Sequence, residues 1–319
     1  LAGQDTGSAF TGNLKSLTAG KISYYLDLEG PSITIDASCA SSLVGIHEGC
    51  MKIISGETNY ALVGGISINI IIPEFSDSNF NTLGVVASGG RSRSFDANAQ
   101  GTGIGEGGGF VLLKLLSEAE KDNDYIYGVI KGSALSGDGS RKGSLTSPSV
   151  EGQCQAIVKA WEMANINPEE ITDIEAHGTG TLIGDPIEIE ALNNGFAKYT
   201  KKKQFVYLGA LKSSIGHLTA AAGIASLLKV ISQYRYNVSY PIVHFEKPNP
   251  YIDFSSTALI PLKEVRRWEP RQKRITGISG FGFSGTNAHI IVENYYNQIK
   301  NNENSNNKWF LKISAKSER

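Results

Sequence analysis

Apolar positions along the chain fall into two rhythms. Ile33, Thr34, Ile35 and Asp36 alternate as a strand does, and soon after them Leu43, Ile46, His47, Cys50 and Ile54 recur at helical spacing. The small residues between, Ala37 to Ser42, predict a sharp strand–turn–helix junction with Cys39 at the turn. Residues 60–68 and 110–116 are nearly unbroken apolar runs, the pattern of strands buried on both faces. Residues 72–94 read as loop, 117–124 as a short solvated helix and 127–135 as a further strand.

The second half continues the alternation. Ser149 is placed to cap an amphipathic helix that runs through Met163 and stops at Asn167-Pro168. Residues 171–176 predict a strand that runs into His177-Gly-Thr-Gly-Thr. Asp185-Pro186 opens a helix over 187–196, with proline in the first turn, where its missing N–H does no harm. A strand over 207–211 leads through Lys-Ser-Ser-Ile-Gly-His to an alanine-rich helix over 218–234, and strands at 275–278 and 289–292 flank a glycine turn at 280–287. The Asn/Lys-rich stretch beyond residue 294 reads as a linker. Strands alternating with helices throughout predict an α/β protein with mostly parallel sheets. Two such sets suggest two similar halves, 1–145 and 146–294, with 295–319 leading to a next domain.

Composition narrows the function classes. Lys and Arg number 30 against 31 Asp and Glu, a balance that argues against a dedicated nucleic-acid binder. Three cysteines without a CxxC pair indicate neither a disulfide framework nor a zinc cluster. No apolar run approaches a membrane span and the first residues lack the pattern of a signal peptide, so a cytoplasmic location is expected. The 36 glycines cluster near 64, 89, 101–109, 137–143 and 280–285, where tight turns and close backbone approach are expected.

Three loops place one reactive group each at the C-terminal end of a predicted strand, where α/β sheets form ligand crevices: Cys39, His177 and His217. A thiol with two imidazoles suits acyl transfer followed by chemistry on a second acyl group; a simple hydrolase has no use for the second imidazole. The helix N-terminus beside Cys39 is expected to favour thiolate. His47 reads as a packed histidine, His244 and His289 as structural hydrogen-bonding residues, and Cys50 and Cys154 as buried and inert. Gly-Thr-Gly-Ile-Gly-Glu-Gly at 101–107 lacks the Lys-Ser/Thr of a phosphate loop.

The segments around these residues, DASCASSL, EAHGTGT, KSSIGH and GFGFSGTNAH, resemble in order and spacing the four signatures of β-ketoacyl synthases, in particular the ketosynthase domains of modular polyketide synthases. The resemblance runs from about Ala19 to Glu293 and includes GPS at 30–32, FDANAQG, LTSPSVEGQ, GDPIEIEAL and PNPYIDF. It implies a thiolase-like fold, two βαβαβαββ-type halves in a five-layered αβαβα sandwich, normally a homodimer. It further implies that Cys39 takes an acyl chain from an acyl carrier protein as a thioester and that His177 and His217 assist decarboxylation of a malonyl unit on a second carrier, giving a β-ketoacyl product. Lys212 would tune His177. The N–H groups of Cys39 and Phe283 would form the oxyanion hole, Phe283 would gate, and Thr179 and Thr181 would bond the pantetheine arm. No bound cofactor or metal is implied, because substrates arrive on the phosphopantetheine arm; the other domains of the synthase are the remaining partners. The alternative within the resemblance is a non-elongating ketosynthase that only passes the acyl chain on.

Two departures stand out. ASCASS replaces the usual TACSSS, and Thr102 and Ile104 stand where the family has an aromatic and a frequent Arg, a variability found in synthases with free-standing acyltransferases. The family also has a substantial region before the segment matching Ala19, so the first half is expected to be incomplete, with unpaired strand edges and exposed apolar surface that make the chain poorly soluble or incompletely folded alone.

Overall fold

The computed structural model of the chain describes residues 11–12, 14–68 and 85–297. Helix α1 (Ser16–Leu26) leads to a 3₁₀ turn at Ser38–Ala40, helix α2 (Ser41–Ile54) and strand β1 (Tyr60–Ser67). Strand β2 (Gly107–Lys114), helix α3 (Leu116–Lys121) and strand β3 (Val129–Gly137) follow. The second half contributes α4 (Val150–Ala164), β4 (Asp173–Glu175), α5 (Gly184–Ala197), β5 (Val206–Gly209), α6 (Lys212–Ile215), α7 (Ala222–Tyr236), β6 (Val238–Ser239), β7 (Leu259–Pro261), β8 (Arg266–Arg267), β9 (Ile275–Phe281) and β10 (Thr286–Glu293).

Six strands form the central sheet in the order β3-β10-β9-β4-β5-β7, antiparallel from β3 to β9 and parallel from β9 to β7. All seven residues of β9 are buried, because helices cover both faces of the sheet. The period of two in β10 divides its side chains between two cores. Ile291 joins Trp161, Ile157, Leu192 and Phe196 of α4 and α5, whereas Ile290 and Val292 join Leu43, Ile46, Leu227 and Val230 of α2 and α7. Helix α4 starts where the sequence predicts: Ser149 Oγ accepts the Gly152 N–H at 3.2 Å, and Asn165 closes the helix in the left-handed region. Val63 brings the two-stranded β1–β2 sheet onto the far side of the α2/α7 layer.

Two expectations are corrected. Residues 33–36 form no strand: they run beside α1, held by Thr34 Oγ1 donating to Lys15 O at 2.9 Å and by the Lys15–Asp36 ion pair, and Ile33 is 57% exposed. A strand needs a ladder partner, and none pairs with this segment among the described residues. Strands β1 and β2, read as buried on both faces, are covered on one; Leu62, Ile66, Phe110 and Leu112 are exposed on the other. Part of the expected loop at 72–94 lies outside the described residues; its remainder, 85–94, is irregular as read.

Candidate active site

Cys39 occupies the 3₁₀ turn that precedes α2, and the turn is sharp because Ser38 adopts a positive φ of 55°. Ser41 holds it, accepting the Ala37 N–H at 2.9 Å and donating to Ser38 O at 2.6 Å. The thiol is half-buried. Burial raises its pKa; the Lys212 ammonium, the Phe283 and Cys39 N–H groups and the Ser38 side chain pull the other way without overcoming it. The sequence expectation of a lowered thiol pKa is therefore reversed: desolvation outweighs the helix end. The amides of Cys39 and Phe283 both act to lower the thiol pKa.

The two imidazoles lie edge to face, with ring centroids 5.7 Å apart. His177 follows β4, and its Nδ1 accepts the Phe281 N–H at 3.3 Å. His217 follows α6, and its Nδ1 accepts the Thr219 N–H at 3.1 Å. An imidazole that accepts at Nδ1 carries its proton on Nε2. Both rings are neutral, since burial first, then Lys212, pushes each pKa well below the usual histidine value; His217 lowers that of His177 further. His217 Nε2 is buried without a partner. The site thus offers neutral Nε2–H donors in place of imidazolium.

Lys212 is buried beneath His177: its Nζ lies 3.4 Å from Nδ1 and donates to the His177 carbonyl. Burial lowers the Lys212 pKa, opposed by Cys39, Glu188, Glu175 and Asp185. Two acids on the first turns of α5 frame the loop. Glu188 accepts the N–H groups of His177 and Gly178 at 2.7 and 2.8 Å, and Asp185 accepts those of Gly180 and Phe95. Burial pushes the Asp185 pKa up to about 7 and that of Glu188 in the same direction, against these N–H donors. Thr179 and Thr181, both half-buried, face each other with hydroxyls 3.1 Å apart.

The turn between β9 and β10 closes over the elbow. A Cβ at Gly282 would lie 2.4 Å from Ala37 O, so only glycine allows the approach that delivers the Phe283 amide. The Phe283 ring is 42% exposed at the rim. Buried Asp138 secures the turn from outside, its N–H donating to Gly285 O at 2.8 Å and its carboxylate accepting Asn287 Nδ2 at 2.6 Å.

The structure brings Cys39, His177, His217, Lys212 and the Phe283 amide into one place, with Thr179 and Thr181 on the adjoining loop. The motif reading missed the roles of Asp185 and Glu188, although their spacing of three on the first turns of a helix signals a shared face. It also missed Asp138 and Asn287. Thr219, at a φ of 41° and bonded to Ser67 Oγ at 2.7 Å, left no sequence signal at all.

Helices on both faces of a mixed sheet, a further two-stranded sheet and an elbow cysteine under two histidine loops define a layered α/β protein of the thiolase-like class. The family models for the β-ketoacyl synthase N-terminal domain, the β-ketoacyl synthase C-terminal domain and the ketoacyl-synthetase C-terminal extension match residues 2–119, 127–246 and 248–319. The chain belongs to the β-ketoacyl synthase family, with the ketosynthase domains of polyketide synthases as its relatives. It is 42% identical over 293 residues to polyketide synthase PksL of Bacillus subtilis, covering 91% of this chain and 6% of that protein. It is 39% identical over 288 residues to polyketide synthase GfsA of Streptomyces halstedii, covering 90% and 4%. The solved ketosynthase from module 6 of the bacillaene synthase of Bacillus subtilis superposes with a TM-score of 0.85 at 41% identity, covering 89% of this chain and 51% of that one. The chain thus spans about half the length of that ketosynthase and a small fraction of the curated synthases.

Proposed function

We propose that the chain acts as a condensing ketosynthase that extends a polyketide by decarboxylative Claisen chemistry. Cys39 attacks the thioester of an acyl carrier protein; the acyl group moves to sulfur, and the carrier thiol leaves with a proton. A malonyl thioester on a second carrier then loses CO₂, and its thioester oxygen takes up charge as an enolate facing the Nε2–H groups of His177 and His217. The enolate carbon attacks the Cys39 thioester, whose tetrahedral oxygen is held by the Cys39 and Phe283 amides, and the Cys39 thiolate is expelled as the β-ketoacyl carrier product forms.

The observation that carries this reading is the fixed tautomer of both histidines, each accepting a backbone N–H at Nδ1 so that an uncharged Nε2–H is left to donate. Lys212 holds His177 in that state and favours the thiolate of Cys39. Thr179 and Thr181 would bond the pantetheine arm at the entrance. Acyl carrier proteins, the other domains of a synthase and a second copy of the chain are the partners of this reading, in the cytoplasm. No resident metal or organic cofactor enters it.

The test supplies the acylated protein with malonyl carrier protein and follows the product by mass. A β-ketoacyl carrier protein, lost in His177→Ala and His217→Ala, supports condensation. Acyl transfer to a carrier without CO₂ release or chain extension would replace it with a transacylating role.

A further inference from the structure

Loop 101–105, where Thr102 and Ile104 depart from the aromatic and Arg usual in the family, touches both histidine loops. Gly101 N–H donates to Gly180 O at 2.9 Å, on the loop that follows His177. His217 N–H donates to Gly103 O at 2.7 Å, and Gly105 N–H returns a bond to His217 O at 3.1 Å. The strap has no slack: a Cβ at Gly103 would lie 2.3 Å from Gly90 O, and one at Gly105 the same distance from Ile215 O.

Two buried hydroxyls fasten this strap. Ser92 Oγ accepts the Gly103 N–H at 2.9 Å and lies 3.1 Å from Thr102 Oγ1, and Ser92 and Thr102 are 2% and 5% exposed. Because Ser92 Oγ is the acceptor for Gly103, its own proton is free to donate to Thr102 Oγ1. Gly103 is thereby gripped through its N–H by Ser92 and through its carbonyl by the amide of His217. The His217 ring is tied to the same stretch of backbone through Thr219 N–H, so the direction of Nε2 follows the placement of that backbone.

We propose that Ser92 and Thr102 are positioning residues that set the aim of His217 through the strap. Neither touches the reacting groups, and no hydrogen bond among the described residues joins either to the 36–42 elbow. The proposal rests on the condensing role given to His217 above, and it predicts a split: the step that uses His217 suffers while acylation of Cys39 does not.

The test compares Ser92→Ala, Thr102→Val and Thr102→Ser with the unsubstituted chain by three readouts: acylation of Cys39 by intact mass, CO₂ release from a malonyl carrier protein, and amide hydrogen exchange at His217. Ser92→Ala and Thr102→Val are expected to slow CO₂ release by about 10- to 100-fold, the scale of a small misplacement of a catalytic group. Acylation stays within about twofold on the same argument. Exchange at His217 quickens, and Thr102→Ser restores both CO₂ release and exchange. Parallel loss of acylation and CO₂ release, or unchanged exchange at His217, would overturn the positioning role. If the unsubstituted chain acylates but releases no CO₂, the condensing reading fails by itself, and His217 exchange in the variants still decides whether the strap positions that residue.

Discussion

Lys212 Nζ lies 3.4 Å from His177 Nδ1 while also donating to the carbonyl of the same residue. One buried ammonium thus fixes the backbone and the tautomer of His177 together, and its charge penalises imidazolium. Lys212 also favours the thiolate of Cys39, so the nucleophile and one oxygen-binding histidine answer to the same cation.

That shared cation gives a pH prediction. Burial raises the Cys39 pKa, so alkylation of the thiol by iodoacetamide should keep climbing at pH values where a free cysteine has levelled off. Lys212→Met removes the main opposing influence on the thiol and moves the profile to still higher pH, and it lets the His177 pKa rise toward the ordinary value. Mass-resolved alkylation rates across pH check the first part; a Lys212→Met profile shifted to lower pH would contradict it.

Lys229 and Glu175 form an ion pair with side chains 7% and 2% exposed, and Glu175 Oε1 also accepts the Leu211 N–H at 2.7 Å, next to Lys212. Removing one partner strands a buried charge. Lys229→Met should destabilise the fold by about 3–5 kcal/mol, and adding Glu175→Gln, whose amide oxygen still accepts the Leu211 N–H, should restore much of that. Urea midpoints of the single and double variants test it. A double variant no more stable than Lys229→Met alone would refute the account of a stranded carboxylate.

Gly282→Ala places a methyl against Ala37 O and pushes the Phe283 amide off the elbow. Loss of one oxyanion donor slows acyl transfer by roughly 10²- to 10³-fold, and a loss of that order is expected in the acylation rate. Gly137→Ala, where a Cβ meets nothing within 4 Å, serves as the control. Equal acylation rates in the two variants would show that the turn does not present the amide.

The second half of the fold was legible because its signals are local. Ser149 caps its helix, Asp185-Pro186 starts the next, and the strands expected at 171–176, 207–211, 275–278 and 289–292 overlap β4, β5, β9 and β10. In the first half the same reasoning misjudged 33–36, β1 and β2, since apolar spacing cannot say whether a partner strand or a covering layer is present. The site was legible as residue types, but the expected placement at strand ends holds directly only for His177, which follows β4; no strand precedes Cys39 among the described residues, and α6 stands between β5 and His217. The fine settings of the site were not legible. The raised thiol pKa comes from burial that no local pattern reveals, the positive φ angles of Ser38 and Thr219 carry no residue-type signal, and the Ser92–Thr102 bond joins residues whose pairing no spacing indicates.

The central claim is that Cys39 carries the acyl chain, and intact mass after incubation with a short acyl thioester tests it most directly. The account predicts one added acyl group on the folded chain and none on Cys39→Ala. Acylation that persists in Cys39→Ala, or its absence from a chain shown to be folded, would contradict it.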